Sequence, residues 1–262
     1  MTPDDPVIAA FRRAAADRAH GAGEIEARLI RELLELRPRW SAETLGAGGG
    51  LLAAGQPMMA NLRALAACAG EGDGAGLDAH LRRRAEVLDS LPGRLAAAAW
   101  PQIKGAEVLV TLSRSSAVAA VVEGARARGW RGLVVVLDGT PAGGGPEQAA
   151  ALAASGPALS QPDATAPRWL GGGGVVVAVG ADAVSERRVL NCTGTTALLE
   201  LAADRGLPRL LVADTGKDVS DDVLHDMAAA APRHRDPSGR EFPVFETAPL
   251  LLITARISEE NT

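Results

Sequence analysis

From Lys104 onward the chain alternates short apolar, β-branched runs with longer helical stretches, and this alternation limits the fold more than any other feature. Candidate strands are residues 107–111, 132–137, 157–161, 175–180, 209–212 and 251–254. Candidate helices are 116–129, 146–155, 195–205 and 221–230. The run from Val175 to Val179 contains no polar residue, as a strand covered on both faces requires. Strands separated by helices imply right-handed crossovers and a parallel sheet.

The first hundred or so residues read differently. Segments 5–20, 23–36 and 76–99 carry apolar residues at three- and four-residue spacing with charges between them, the pattern of amphipathic helices. Pro38 closes the second. Segment 57–69 also reads as a helix, 47–55 is rich in Gly and Ala, and 71–76 is a turn or loop. The expectation is an α/β protein: a helical N-terminal domain over 1–103, then a Rossmann-like parallel-sheet domain over 104–262 that carries most of the site.

Composition narrows the function. With 47% hydrophobic residues but four Trp, three Phe and no Tyr, the core must be built from Ala, Val and Leu. A net charge of −5 without a clustered basic face argues against a nucleic-acid partner. Two cysteines, Cys68 and Cys192, make no disulfide framework and fit a reducing compartment. The N-terminal segment lacks a signal-peptide apolar core, and no apolar run approaches the ~18 residues of a membrane span. A cytoplasmic protein without membrane attachment is expected.

The densest cluster of candidate functional residues is VVVAVGADAVSERRVLNCTGT, 175–195. In parallel α/β sheets ligands bind beyond the carboxyl ends of the strands. Asp182 follows such a strand, as a general acid/base or as the cap of a turn. Asn191, Gly194 and Thr195 form a polar turn into a helix N-terminus, which suits a polar, anionic ligand. Strand 107–111 delivers Ser113 to the same crevice. Cys192 has two readings: a thiol depressed by the helix N-terminus and available for acid/base work, or a small packed residue. His80, His225 and His234 lack partners at metal-ligand spacing, so a metal site is not expected, and no cofactor is expected either. Thr215–Lys217 lacks the glycine spacing of a Walker loop, and residues 46–50, GAGGG, lack the preceding strand of a dinucleotide fingerprint.

These and other segments resemble one family in order along nearly the whole chain. They are HGAGEI (20–25), IKGAEVLVTLS (103–113), LDGTPAGGG (137–145), Pro162–Asp163–Ala164, GADAV (180–184), N-x-x-G-T (191–195), LVADTGK (211–217) and VFETAPLLLITARISEE (244–260). The family joins methylthioribose-1-phosphate isomerase, ribose-1,5-bisphosphate isomerase and the regulatory subunits of eukaryotic initiation factor 2B. The resemblance implies a ribose-derived small-molecule ligand, with Asp182 as the acid/base of aldose–ketose isomerisation. It also implies a two-fold homodimer through the C-terminal domain, with the apolar run 244–257 contributing.

The chain departs from the isomerase pattern at defined positions. Ser113 stands where the isomerases carry their catalytic Cys, and Leu112 where they have His. The phosphate-binding arginines correspond to His20 (before Gly21 and Ala22), Gln56 and Thr140, and the Lys after Asn191 is Cys192. Asn191, Gly194, Thr195 and Lys217 remain to hold a ligand, and Arg114 lies close enough in sequence to restore positive charge. None of the replacements makes the bidentate contacts of arginine with phosphate. The expected ligand is therefore a monophosphate first, or an unphosphorylated ribosyl compound or a nucleoside, rather than a bisphosphate. Two functions are compatible: an isomerase using Asp182 and Ser113, or a non-catalytic sugar-phosphate or nucleotide-binding regulatory subunit.

Overall fold

The alternation beyond Lys104 becomes a six-stranded, wholly parallel sheet. The computed structural model describes residues 5–141 and 143–260, so Ala142 of the LDGTPAGGG segment lies outside the described residues, as do 1–4 of the expected helical domain. The strands are β1 (Val108–Leu112), β2 (Leu133–Leu137), β3 (Ala158–Gln161), β4 (Val175–Val179), β5 (Ala183–Val184), β6 (Arg188–Cys192), β7 (Arg209–Val212), β8 (Arg233–Arg235), β9 (Glu241–Pro243), β10 (Phe245–Pro249) and β11 (Ala255–Ile257). The helices are α1 (Pro6–Ala16), α2 (Ala22–Glu35), α3 (Ala42–Gly55), α4 (Ala60–Gly70), α5 (Gly74–Ile103), α6 (Ser116–Ala127), α7 (Gly145–Ala153), α8 (Ala166–Trp169), α9 (Thr195–Asp204) and α10 (Asp221–Ala229). The chain divides into two compact units, Met1–Leu91 and Pro92–Thr262, and the dividing point falls inside α5.

In the second unit the large sheet runs β11-β7-β4-β1-β2-β3, with Val110 of β1 paired to Val135 on one side and Val177 on the other. From β1 the chain winds outward to β2 and β3, then returns to β4 and winds the other way to β7 and β11. The reversal lies between β1 and β4, and a crevice opens at such a point beyond the carboxyl ends of the strands. The core is aliphatic: Val110, Val135, Val177, Val179, Leu199 and Leu211 are fully buried within one cluster. Every residue of β4 is buried, which explains its unbroken apolar run.

A second, antiparallel sheet has the order β10-β6-β5: β5 and β6 follow β4 directly in the chain, and β10 joins them from beyond α10. Asn191 and Cys192, expected within the turn leading into α9, are the last two residues of β6. The expected strand at 251–254 is also displaced. Leu250–Leu252 form a 3-10 turn, and pairing with β7 begins only at Ala255, opposite Leu210. Leu250, Leu252 and Ile253 are apolar because they pack on the core cluster, not because they pair in the sheet.

In the first unit Asp5 caps α1 by accepting from the Val7 and Ile8 amides at 2.8 and 3.3 Å. The Gly/Ala-rich stretch is most of α3. A Cβ on Gly48 would stand 2.1 Å from the Phe11 ring, and one on Gly49 would stand 2.6 Å from the Ala66 carbonyl oxygen. These glycines serve close helix packing. Among the described residues no helix is long and apolar enough to cross a membrane.

Candidate functional site

Ser113 and Asp182 leave the sheet from β1 and β4, on either side of the reversal. Ser113 takes a left-handed backbone, φ 58°, unusual for a residue with a side chain. Its amide donates to Leu137 at 2.8 Å, and its hydroxyl donates to the Gly143 carbonyl. The turn is tight: a Cβ on Gly139 would stand 2.4 Å from the Ser113 Cβ. Asp163 holds the neighbouring loop, its two carboxylate oxygens accepting from the Gly139 and Thr140 amides at 2.8 Å each. Arg114, next in the chain, is exposed.

Asp182 donates its backbone N–H to Leu190 at 2.9 Å, which ties it to β6, while its carboxylate has no hydrogen-bond partner among the described residues. Burial pushes this carboxyl up to about 6, and the Lys217 ammonium pulls in the opposite direction. Lys217 lies in the 3-10 turn Thr215–Lys217 and donates from Nζ to the Ala181 carbonyl. Asp214 starts that turn by accepting from the Gly216 amide at 3.0 Å. Glu259 fixes it from the chain's end, taking the Thr215 amide at 3.1 Å.

Asn191 and Thr195 are buried together. Asn191 Nδ2 donates to Thr195 Oγ1 at 3.0 Å, and that hydroxyl donates to the Cys192 carbonyl at 2.7 Å. Of the two readings of Cys192, the small packed residue agrees with its burial. Burial pushes the thiol up to about 12, and the Asp182 and Glu246 carboxylates add to the rise against the Thr195 and Ser113 hydroxyls. Cys192 is a neutral thiol at physiological pH.

Glu246 was not singled out in the sequence. It lies on β10 directly opposite Asn191, and its Oε1 accepts the amides of Gly194 and Thr196 at 3.1 and 2.7 Å. Gly194, in the left-handed region, begins α9. The available signal was an acid inside the FETAP strand, but only the β6–β10 register brings it to the start of α9. Asp182 just before β5, Asn191 on β6 and Glu246 on β10 thus come together at one end of the small sheet.

The remaining predicted residues belong to the first unit, where each has internal partners. Asp17 accepts from the His20 ring Nδ1 at 2.8 Å. Burial raises the Asp17 carboxyl, but the Ala19 amide and the His20 ring outweigh it and hold it below the ordinary value. Gln56 Nε2 donates to the carbonyls of Ala14 and Asp17 at 2.9 and 2.7 Å, so Gln56 ties down the end of α1. Gly21 caps α2 and donates its amide to Glu24 at 3.0 Å, while the Ala22 carbonyl accepts from Asn61 at 3.2 Å. Among the described residues no His, Cys, Asp and Glu side chains group in a way that could hold a metal ion.

The sequence model of the initiation factor 2 subunit family matches residues 83–229, more than half of the chain. No curated protein matches by sequence. Among solved structures, the Pyrococcus horikoshii OT3 translation initiation factor eIF-2B is similar at 20% identity and TM-score 0.83, covering 99% of this chain and 96% of that one. The tetrameric eIF2B-beta2-delta2 complex from C. thermophilum matches at 18% identity and TM-score 0.74, with 99% and 92% covered. The eIF2B delta subunit from Chaetomium thermophilum matches at 17% identity and TM-score 0.69, with 99% and 98% covered. Likeness at these identities speaks for the fold.

Proposed function

Because this chain belongs to the initiation factor 2 subunit family, we propose that its β1/β4 crevice binds a ribose-derived monophosphate, with Asp182 as the acid/base of an aldose–ketose isomerisation. One observation carries the reading. Asp182 combines a carboxyl raised to about 6 with the absence of a hydrogen-bond partner among the described residues, beside the Lys217 ammonium. A group tuned near neutrality both accepts and returns a proton efficiently. The interconversion moves a hydrogen from C2 to C1 of the sugar, and a proton from the C2 hydroxyl to the oxygen released or reduced at C1. Asp182 takes that proton and gives it back, ending in its starting state. Asn191, Thr195 and Lys217 supply the polar walls.

A second reading is favoured by a specific observation. Neither Ser113 nor the neutral Cys192 is a second group titrating near pH 7, so a non-catalytic ligand-binding regulatory subunit also fits. A proton NMR time course with ribose 1-phosphate, 5-deoxyribose 1-phosphate, methylthioribose 1-phosphate and ribose 1,5-bisphosphate separates the two. Ketose formation that disappears in Asp182→Asn supports the enzyme. Saturation transfer to the ligand without turnover supports the sensor, and silence in both removes the ligand class. The C. thermophilum relative is described as a tetrameric complex, and for this chain a homodimer through residues 244–257 is proposed. A monomer by light scattering at micromolar concentration removes that assignment.

A further inference from the structure

Glu246 offers the site two different oxygens. Oε1 is held by the Gly194 and Thr196 amides at 3.1 and 2.7 Å, while Oε2 has no protein partner among the described residues. The carboxylate stands opposite Asn191 in the β6–β10 ladder, and after burial its charge, with that of Asp182, raises the Cys192 thiol. The free amides at the start of a helix are where a phosphate or carboxylate group of a ligand settles. Here the protein's own carboxylate takes them.

We infer that Glu246 is a specificity-determining residue: it excludes anionic groups from the start of α9 and presents Oε2 as a hydrogen-bond acceptor for hydroxyls of a neutral polyol portion of the ligand. The inference rests on the reading that the crevice takes a ribose-derived ligand. A carboxylate fixed through one oxygen accepts from a hydroxyl through the other without reorganising, and such charge-assisted bonds are the strong ones. A ligand phosphate brought to the same place meets a like charge and occupied donors, so the phosphate of a bound sugar phosphate must lie away from α9. The position is thus selective by charge, and its selectivity comes from a strand distant in sequence.

The test follows the Gly194 and Thr196 amides by nitrogen–proton NMR during separate titrations with inorganic phosphate and with ribose, in the wild type, Glu246→Gln and Glu246→Ala. In the wild type, phosphate is expected to leave both amides unmoved. In Glu246→Ala, phosphate should shift both, and ribose should bind at least about tenfold more weakly, as loss of a hydrogen bond to a charged group predicts. Glu246→Gln keeps an acceptor for the amides but not the charge, so it should weaken ribose while admitting phosphate less than Ala does. Phosphate shifts of both amides in the wild type overturn the inference, as does a Glu246→Ala protein that retains its fold yet neither admits phosphate nor loses ribose affinity. Failure of ribose to bind any of the three counts against the ribose reading itself, while the phosphate arm still decides whether Glu246 excludes anions.

Discussion

Lys217 donates from Nζ to the carbonyl of Ala181, the residue immediately before Asp182. The ammonium therefore anchors the turn that presents the carboxylate and places positive charge beside it. Burial and Lys217 act on Asp182 with opposite sign, and burial is the larger effect.

Removing that charge isolates the burial effect. Lys217→Met should raise the Asp182 carboxyl further above its present value of about 6. It should also cost about 1–3 kcal/mol through the Ala181 carbonyl left without its donor. Carbon NMR of the labelled Asp182 carboxyl reads the first effect and chemical denaturation the second. An unchanged titration midpoint removes the proposed coupling.

Asp182→Asn carries a pH signature whose sign is set by the raised carboxyl. The folded protein holds the Asp182 proton up to about pH 6, whereas the unfolded chain releases it near its ordinary value of 3.8. The folded state binds more protons between these limits, so stability falls as pH rises through that window and the full penalty applies above it. Asp182→Asn should therefore be more stable than wild type at pH 7.5, by as much as about 3 kcal/mol for a shift of this size. The advantage should vanish below pH 4, where both states are protonated. Urea midpoints at the two pH values decide it.

Ser113 should respond unusually to substitution because its backbone is left-handed, at φ 58°. Ser113→Ala loses the hydrogen bond to the Gly143 carbonyl and keeps the strained backbone, at a cost of about 1 kcal/mol. Ser113→Gly loses the same bond but relieves a strain of about 1 kcal/mol. The glycine variant should therefore match or exceed the alanine variant in thermal stability. A clearly less stable glycine variant means the strain is not expressed.

Within α3 two neighbouring glycines should behave oppositely. A Cβ on Gly49 would meet the Ala66 carbonyl oxygen at 2.6 Å, whereas one on Gly50 has nothing within 4 Å. Gly49→Ala should destabilise by about 1–3 kcal/mol through overpacking. Gly50→Ala should stabilise by up to about 1 kcal/mol through helix propensity. Thermal melts of the two variants check the contrast.

The chain's local patterns carried the parallel sheet and most of its helices, because buried strands and amphipathic helices write their periodicity directly into consecutive residues. The same is true of Ser113 and Asp182 as strand-end residues: both lie a few positions beyond apolar runs, and a doubly wound sheet brings such ends together. Sequence alone did not disclose the small β5–β6–β10 sheet. β6 and β10 carry polar and charged residues rather than an unbroken apolar run, and they pair from more than fifty residues apart, so neither shows a local signature. Nor did it disclose that Glu246 already accepts amides at the start of α9, or that burial, with the Asp182 and Glu246 carboxylates adding to it, keeps the proton on Cys192. Local order follows from near neighbours in the chain. Which charges face one another, and how deeply each is withdrawn from water, depends on residues far apart in sequence, and only the tertiary structure decided it.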